Sequence, residues 1–233
     1  MKEPNSPIAI VTGASRGLGR ATARALSEGG WHVIIDAREP DALTRAAEEI
    51  GGSVTAMVGD VADPSHRDEL IAMARDRGGL DLLANNASIL GPSPQPALAE
   101  YPLETLRQVY EVNVLAPLAL TQLALPLLRE RQGVVINVTS DAAAEPYEGW
   151  GGYGSSKAAL NQISSILGAE ESGVAVYRFD PGDMNTRMHQ EAFPGEDISD
   201  RPPPEDSVPA LLALVEGRPR SGAYGVGDVL LTS

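Results

Sequence analysis

Short apolar runs rich in β-branched residues alternate along the chain with longer stretches that favour helix. The first run, residues 8–12, reads as a buried strand. A glycine-bearing turn from Gly13 to Gly19 follows, then a helix-forming stretch from Arg20 to Leu26 that Gly29 and Gly30 close. A second strand, Val33 to Ile35, ends at Asp36, Ala37 and Arg38. A helix over 41–50, with Asp41 as its N-cap, stops at Gly51 and Gly52. The third strand, 54–58, leads into Asp60 and Val61. The helix over 64–77 has Asp63 as cap and Pro64 in its first turn. The fourth strand, 80–84, ends at Asn85, Asn86, Ala87 and Ser88.

Pro92, Pro94 and Pro96 exclude regular structure over 91–96, which reads as a surface loop. The stretch 103–130 predicts a long helix, apolar along one face, with Asn113 in its middle and Pro117 bending it. The fifth strand is 134–138, with Thr139 and Ser140 at its carboxyl end. A polar, Gly-rich loop over 141–152 leads to a helix that begins at Tyr153 and stops near Gly168. The sixth strand, 174–179, ends at Asp180, Pro181 and Gly182. Residues 183–204 carry Pro, Gly and acidic residues without periodicity and read as a mobile lid or substrate loop. A helix over 205–216 and a strand near 224–231 complete the chain.

Strands alternating with helices at this spacing predict right-handed βαβ units. The expected architecture is a single α/β domain over 1–233, a doubly wound parallel sheet with helices on both faces. Ligands of such sheets bind in the crevice beyond the carboxyl ends of the strands. The glycine turn, Arg38, Asp60, Asn85, Asn86, Ser140, Pro181 and Gly182 all fall at those ends. A strand, a glycine turn and a helix in succession also place backbone N–H groups and a helix N-terminus against a pyrophosphate. The spacing of Gly13, Gly17 and Gly19 differs from the commoner dinucleotide fingerprint.

Composition narrows the function classes. The 233 residues are 42% hydrophobic, ordinary for a soluble globular protein, and no uninterrupted apolar run approaches the length of a membrane span. The first strand begins too early to leave room for a signal peptide. With no Cys there is no disulfide, thiolate ligand or Cys nucleophile, which fits a reducing, cytoplasmic setting. His32, His66 and His189 are widely spaced, against a His-based metal site. A net charge of −14 argues against nucleic acid as a partner.

Tyr153 and Lys157 stand four apart, so on a helix they share one face. A free phenol, with a pKa of about 10, is a poor base near neutral pH. A neighbouring ammonium favours the phenolate and pulls that value down. Alone, this pair is equally a packed Tyr and a solvated Lys.

The ordered set of motifs resembles the short-chain dehydrogenase/reductase family over essentially the whole chain. The matching residues are Thr12 to Gly19, Asp60 with Val61, Asn85 to Ala87, Asn113, Ser140, Tyr153 with Lys157, and Pro181-Gly182 with Thr186. Ser140 lies thirteen residues before Tyr153, the family's usual separation. The resemblance implies a Rossmann-like sheet of seven strands and hydride transfer between a nicotinamide and a carbonyl or secondary alcohol. In that reading Tyr153 is the general acid or base and Ser140 holds the reacting oxygen. Lys157 lowers the Tyr153 pKa and holds the nicotinamide ribose, and Asn113 holds a water of a proton relay. Gly13, Ser15, Arg16, Gly17, Leu18 and Gly19 would cradle the phosphates. Asp60 and Val61 would hold the adenine, Asn86 and Ala87 the adenosine ribose, and Pro181, Gly182 and Thr186 the nicotinamide.

In the family, the acidic residue that selects NAD stands at the place of Ala37, and NADP-binding chains carry Arg at the place of Arg38. Strand alternation turns Asp36 away from that pocket, and Arg16 adds a second cation, so NADP(H) is favoured over NAD(H). Ser88 departs from the family's usual glycine and reaches positive φ less readily. The glycine pair that often follows the last strand is missing too. Ile89, Ala142, Tyr147, Trp150, Met184, Met188 and Phe193 are candidates to line the substrate pocket, and His189 is expected at the surface of the lid. The implied partners are a small carbonyl or alcohol and further copies of the chain, as a dimer or tetramer through the helices at 103–130 and 153–168. A non-catalytic NADP-binding sensor or scaffold of the same fold is the alternative. An epimerase or dehydratase is disfavoured by the short carboxyl-terminal region.

Overall fold

A computed structural model of the chain describes residues 6–230. At its centre is a seven-stranded Rossmann-like sheet of order β3-β2-β1-β4-β5-β6-β7, every neighbouring pair parallel. The strands are β1 (Ile8–Val11), β2 (His32–Ala37), β3 (Val54–Val58), β4 (Leu82–Asn85), β5 (Val134–Val138), β6 (Ala175–Asp180) and β7 (Gly222–Gly225). The flanking helices are α1 (Gly17–Glu28), α2 (Pro40–Ile50), α3 (Pro64–Arg77), α4 (Leu103–Tyr110), α5 (Ala116–Arg131), α6 (Gly151–Glu170), α7 (Arg187–Ala192), α8 (Val208–Gly217) and α9 (Val226–Leu230). Strand order reverses between β1 and β4, which opens a crevice at the carboxyl ends.

Alternation along the strands builds two cores. Ala9, Val11, Val33, Ile35, Ala84, Ile136 and Phe179 pack with Leu26 of α1, Leu43 of α2 and Leu211 of α8. Ile8, Ile10, Ile34, Leu83, Val135 and Val176 pack with Leu70 of α3 and Leu120 and Leu128 of α5. Because both faces are covered, the strands read in sequence as continuous apolar runs.

Several elements depart from the sequence reading. Helix α2 begins at Pro40 with Glu39 at the N-cap, so Asp41 sits in the first turn instead of capping it. Proline suits that first position, where its missing N–H has no intrahelical partner to lose. The stretch expected as one helix is α4, a π-helical turn over Glu111–Leu115, and α5. The irregular turn centres on Asn113, whereas Pro117 sits harmlessly in the first turn of α5. By length and composition Leu103–Arg131 is long and apolar enough to cross a membrane, yet 56% of its most apolar window is buried inside the fold. Helix α6 starts at Gly151, two residues before Tyr153, and runs on to Glu170. The last strand is confined to β7. The Asp228 carboxylate accepts the Gly225 N–H at 2.8 Å and the chain turns into α9. Residue 231 of the expected strand lies outside the described residues.

Candidate active site

The glycine turn is held from three sides. Gly13 has φ +65°, and a Cβ there would lie 2.8 Å from the Ala87 Cα, so the turn touches the end of β4 backbone to backbone. Asn86 donates its side-chain N–H groups to the carbonyls of Thr12 and Gly13, at 2.8 and 3.2 Å. The Thr12 hydroxyl accepts the N–H groups of Asn86 and Ala87, both at 3.0 Å. The amide nitrogen of Asn86 is therefore spent on the turn. A Cβ on Gly19 would meet that nitrogen at 2.5 Å. Arg16 is the N-cap of α1 without a side-chain cap, which leaves the first N–H groups of the helix, those of Leu18 and Gly19 among them, to face a ligand. A Cβ on Gly17 would come within 3.6 Å of the Thr186 methyl, so the turn adjoins the segment after β6.

The two cations expected to meet a 2′-phosphate lie at the surface. Arg16 pairs with Glu39 at 2.7 Å and Arg38 stands 4.0 Å from Asp60. Asp60 also accepts the Ala62 N–H at 2.9 Å, and Val61 packs with Val112, Ala116 and Ala87 as an apolar wall.

Asp36 turns away from this pocket, as strand alternation requires. Its carboxylate, 1% exposed, accepts the Gly13 N–H at 2.8 Å and meets His66 Nε2 of α3 at 3.1 Å. The pair, unanticipated from sequence, fixes the underside of the glycine turn. The hydrogen bond it donates to Asp36 pushes His66 above its ordinary 6.5, while burial pushes Asp36 up against the bonds from His66 and Gly13 that hold it down. A raised histidine binds its proton more tightly in the folded chain. Its stabilisation is therefore complete below pH 6.5 and is lost as pH rises through the higher folded value. Urea unfolding between pH 6 and 9 is expected to show wild type losing stability over that window, with His66→Gln lacking this part of the decline. Equal slopes would remove the linkage.

Tyr153 and Lys157 occupy the first two turns of α6, 8% and 2% exposed. Gly154 permits the placement, because a Cβ there would lie 2.6 Å from the Ala142 carbonyl. The helix thereby seats against the 3₁₀ turn Asp141–Ala143 that follows Ser140. Lys157 Nζ donates to the Val138 carbonyl at 2.8 Å and stands 5.5 Å from the Tyr153 ring centroid. Burial lowers Lys157 to about 8, with Asp180 opposing the shift. The sequence reading expects a phenol made acidic by its lysine; instead burial, and then the Asp180 carboxylate, push Tyr153 above the ordinary tyrosine range. The Ser88 hydroxyl opposes them.

Ser140 donates to Asp141 at 2.9 Å and accepts the Ala142 N–H at 3.2 Å. Tyr147 donates to the other Asp141 oxygen at 2.8 Å. Asn113 is fully buried and its amide is saturated. Oδ1 accepts from Ile89 N–H at 2.9 Å and from the Ser88 hydroxyl at 3.1 Å. Nδ2 donates to the Ile89 carbonyl at 2.9 Å and to Ser156 at 3.0 Å. The side chain thus clamps the β4 end to α6, and a relay water would have to use backbone atoms of the π-helical turn. Beneath it runs a buried ladder that the sequence did not announce: Asn85 donates to Thr121 and Asn137, and Asn137 to Ser164. Ser88 needs no positive φ; among the described non-glycine residues only Gln132 and Arg218 have it.

The pocket candidates divide. Leu90, Ala142, Trp150, Met188 and Ala192 gather around Tyr153. Trp150 also meets Phe193, ring centroids 5.7 Å apart. Met184 packs instead with Leu18 and Val138, and Ile89 with Val61 and Val112. His189 is not a surface side chain: it is 11% exposed and its ring lies 4.9 Å from that of Phe193. Gly182 has φ +71° and no atom within 4 Å of a built Cβ, and Pro181 accepts the Ser207 hydroxyl at 2.9 Å. The segment expected as an irregular lid contains α7, which Thr186 caps by accepting the His189 N–H at 3.2 Å. A hydrogen bond from Asn185 N–H to the Pro202 carbonyl, 2.8 Å, brings its two ends together.

The comparisons with known proteins agree with this geometry. The short chain dehydrogenase family model matches residues 7–197. The serine 3-dehydrogenase of Rhizobium radiobacter is 35% identical over 183 residues, 77% of this chain and 72% of that protein. Among solved structures, the alcohol dehydrogenase of Thermococcus sibiricus complexed with 5-hydroxy-NADP superposes with a TM-score of 0.85 at 27% identity, over 95% of this chain and 96% of that one. A short chain dehydrogenase structure from Escherichia coli CFT073 complexed with NADPH reaches 0.88 at 29% identity, over 95% and 97%. With a glycine turn on β1, a buried Tyr and Lys on α6 and this sheet order, the chain belongs to the short-chain dehydrogenase/reductase family of oxidoreductases.

Proposed function

We propose that this oxidoreductase moves a hydride between NADP(H) and a small carbonyl compound or secondary alcohol, with Tyr153 giving or taking the proton. The observation that carries the reading is the convergence of Tyr153, Lys157 and Ser140 on the crevice that the glycine turn opens onto. The residues fit a dinucleotide. The α1 N-terminus has no side-chain cap, and the spaces beside Gly17 and Gly182 would be narrowed by any Cβ. When bound, the nicotinamide supplies or accepts the hydride, and its oxidised ring is cationic.

Ser140 needs only to turn its hydroxyl from Asp141 to the substrate oxygen to steady charge developing there. Lys157 has one N–H fixed by Val138 and two left for ribose hydroxyls. Held near 8, it is mostly an ammonium at neutral pH and loses that charge in mildly alkaline solution. Trp150, Met188 and Leu90 give the pocket an apolar wall beside Tyr153, suited to a substrate with an apolar body.

For the cofactor, Asp36 is committed to Gly13 and His66, which leaves Arg38 and Arg16 nearest the 2′ position. The expected result is NADPH oxidation over a carbonyl panel at least about tenfold more efficient than NADH oxidation, with Arg38→Ala removing most of that preference. Equal use of both cofactors by wild type overturns the assignment to Arg38. A non-catalytic NADP-binding sensor is the second reading, favoured by the high resting value of Tyr153; tight NADPH binding without turnover on any carbonyl or alcohol would establish it. Leu103, Leu115, Leu123 and Ile166 are exposed on α4, the π-helical turn, α5 and α6 and support self-association through those helices.

A further inference from the structure

Asp36 places a buried carboxylate beneath the very turn proposed to receive the cofactor's phosphates. Its Oδ1 accepts the Gly13 N–H at 2.8 Å and its backbone carbonyl the Ala14 N–H at 3.0 Å, so the charge is fastened to the turn itself. Left alone, that charge would repel a pyrophosphate. His66, from the first turn of α3 and equally buried, meets the other carboxylate oxygen at 3.1 Å. We infer that His66 is a positioning residue for the cofactor, acting through Asp36: the proton that the pair shares cancels the negative charge under the turn, and the phosphates bind best while that proton is held.

The packing keeps the two side chains together. A Cβ on Gly59 would overlap the His66 ring, so the imidazole is seated on the backbone just after β3 with Nε2 aimed at Asp36. Most charged groups around the pair are acidic. Glu69 of α3 stands 4.0 Å from Nδ1, Asp63 caps the same helix, and Asp60 lies in the loop before it. The nearby cations are engaged elsewhere, Arg67 with the Val61 carbonyl at 2.6 Å and Arg38 beside Asp60 at 4.0 Å. The bond to Asp36 holds the proton on, burial works against it, and the surrounding acids add to the bond. Because the two side chains share one proton, their charges sum to zero with it and to minus one without it, whichever of them carries it. Neutral His66 can still donate Nε2–H to Asp36, so the turn keeps its shape while the charge beneath it changes. The cofactor's phosphates favour the protonated pair. Binding therefore draws a proton in, and affinity falls as pH rises through the pair's midpoint.

This inference rests on the dinucleotide reading of the glycine turn, and its test reads binding apart from turnover. NADPH affinity is measured by fluorescence titration between pH 6 and 9 in wild type, His66→Gln and Asp36→Asn. Glutamine can donate to Asp36 without bringing a charge, and asparagine can accept the Gly13 N–H without one. At pH 6, Asp36→Asn is expected to match wild type and His66→Gln to bind about fivefold more weakly. At pH 9 the pattern inverts: His66→Gln matches wild type and Asp36→Asn binds about fivefold more tightly. Ionisation of the 2′-phosphate and of Lys157 affects all three proteins alike and drops out of the comparison. A merely structural role would weaken both variants at every pH and leave the slopes parallel. A second measurement needs only wild type: the His66 imidazole midpoint, followed by NMR, is expected about 0.7 pH unit higher with NADPH bound, the same fivefold seen from the proton's side. Parallel slopes overturn the inference, as does a His66 midpoint that NADPH does not move. If NADPH binds with the inverting pattern and no carbonyl is reduced, the dehydrogenase reading falls and the His66 linkage stands. If carbonyls are reduced and the slopes are parallel, the reverse holds, and if NADPH binds at no pH, both fall.

Discussion

Tyr153→Phe is expected to lower kcat/KM for carbonyl reduction about a thousandfold while NADPH affinity changes by less than about twofold. The expectation follows from what the substitution removes and what it keeps. The ring is 8% exposed, packed by Leu90 and Ala142 with Trp150 edge-on at 5.8 Å, and phenylalanine retains all of these contacts. Lys157 keeps its bond to Val138, so the hold on a ribose proposed for it would not be disturbed. Only the hydroxyl is lost, and with it the proton that the carbonyl oxygen must receive. Steady-state kinetics beside an NADPH fluorescence titration would read both quantities. A variant within tenfold of wild type would mean that another group, or water, delivers the proton.

Gly13→Ala is expected to cost roughly 2–4 kcal/mol of stability, a fall in Tm of about 5–10 °C, and to weaken NADPH binding at least about tenfold. Two costs combine. At φ +65° an L-residue enters the left-handed region, and the new methyl carbon would lie 2.8 Å from the Ala87 Cα, which is backbone and cannot swing aside. Either the turn lifts from β4 or Asp36 loses the Gly13 N–H it now accepts at 2.8 Å. Both outcomes move the N–H groups that would face the phosphates. Thermal melting and a cofactor titration check the two arms. Gly30→Ala, with φ +84° but open space around it, is the control that carries the backbone strain without the collision.

The strands and the residues at their carboxyl ends were legible because each is a local signal: an apolar run, a turn residue, a fixed spacing. What escaped is decided by partners far off in the chain. Asn113 calls for an irregular turn because its amide must reach Ile89 and Ser156, and no helical periodicity records that demand. The link between Asp36 and His66 joins β2 to α3 across 30 positions. Val226 and Val229 read as strand, yet Asp228 takes the Gly225 N–H and ends β7 there. His189 was misplaced for a similar reason, since only the stacking of Phe193 and Trp150 makes an interior for it. The spacing of Tyr153 and Lys157 put them on one helix face but could not give the phenol's acidity, which depends on burial and on Asp180.

The Asn185–Pro202 hydrogen bond fastens the neck of the segment that carries α7, and Ser207 anchors the chain beside it to Pro181. Everything between those two points leaves and re-enters the body of the protein at nearly the same place. Such a closed excursion behaves as a replaceable cassette. Its α7 presses Met188 and Ala192 against Tyr153, so exchanging it with a relative's would recast one wall of the proposed pocket while the strands and α6 keep their own packing, and new selectivity can evolve, or be engineered, by that route.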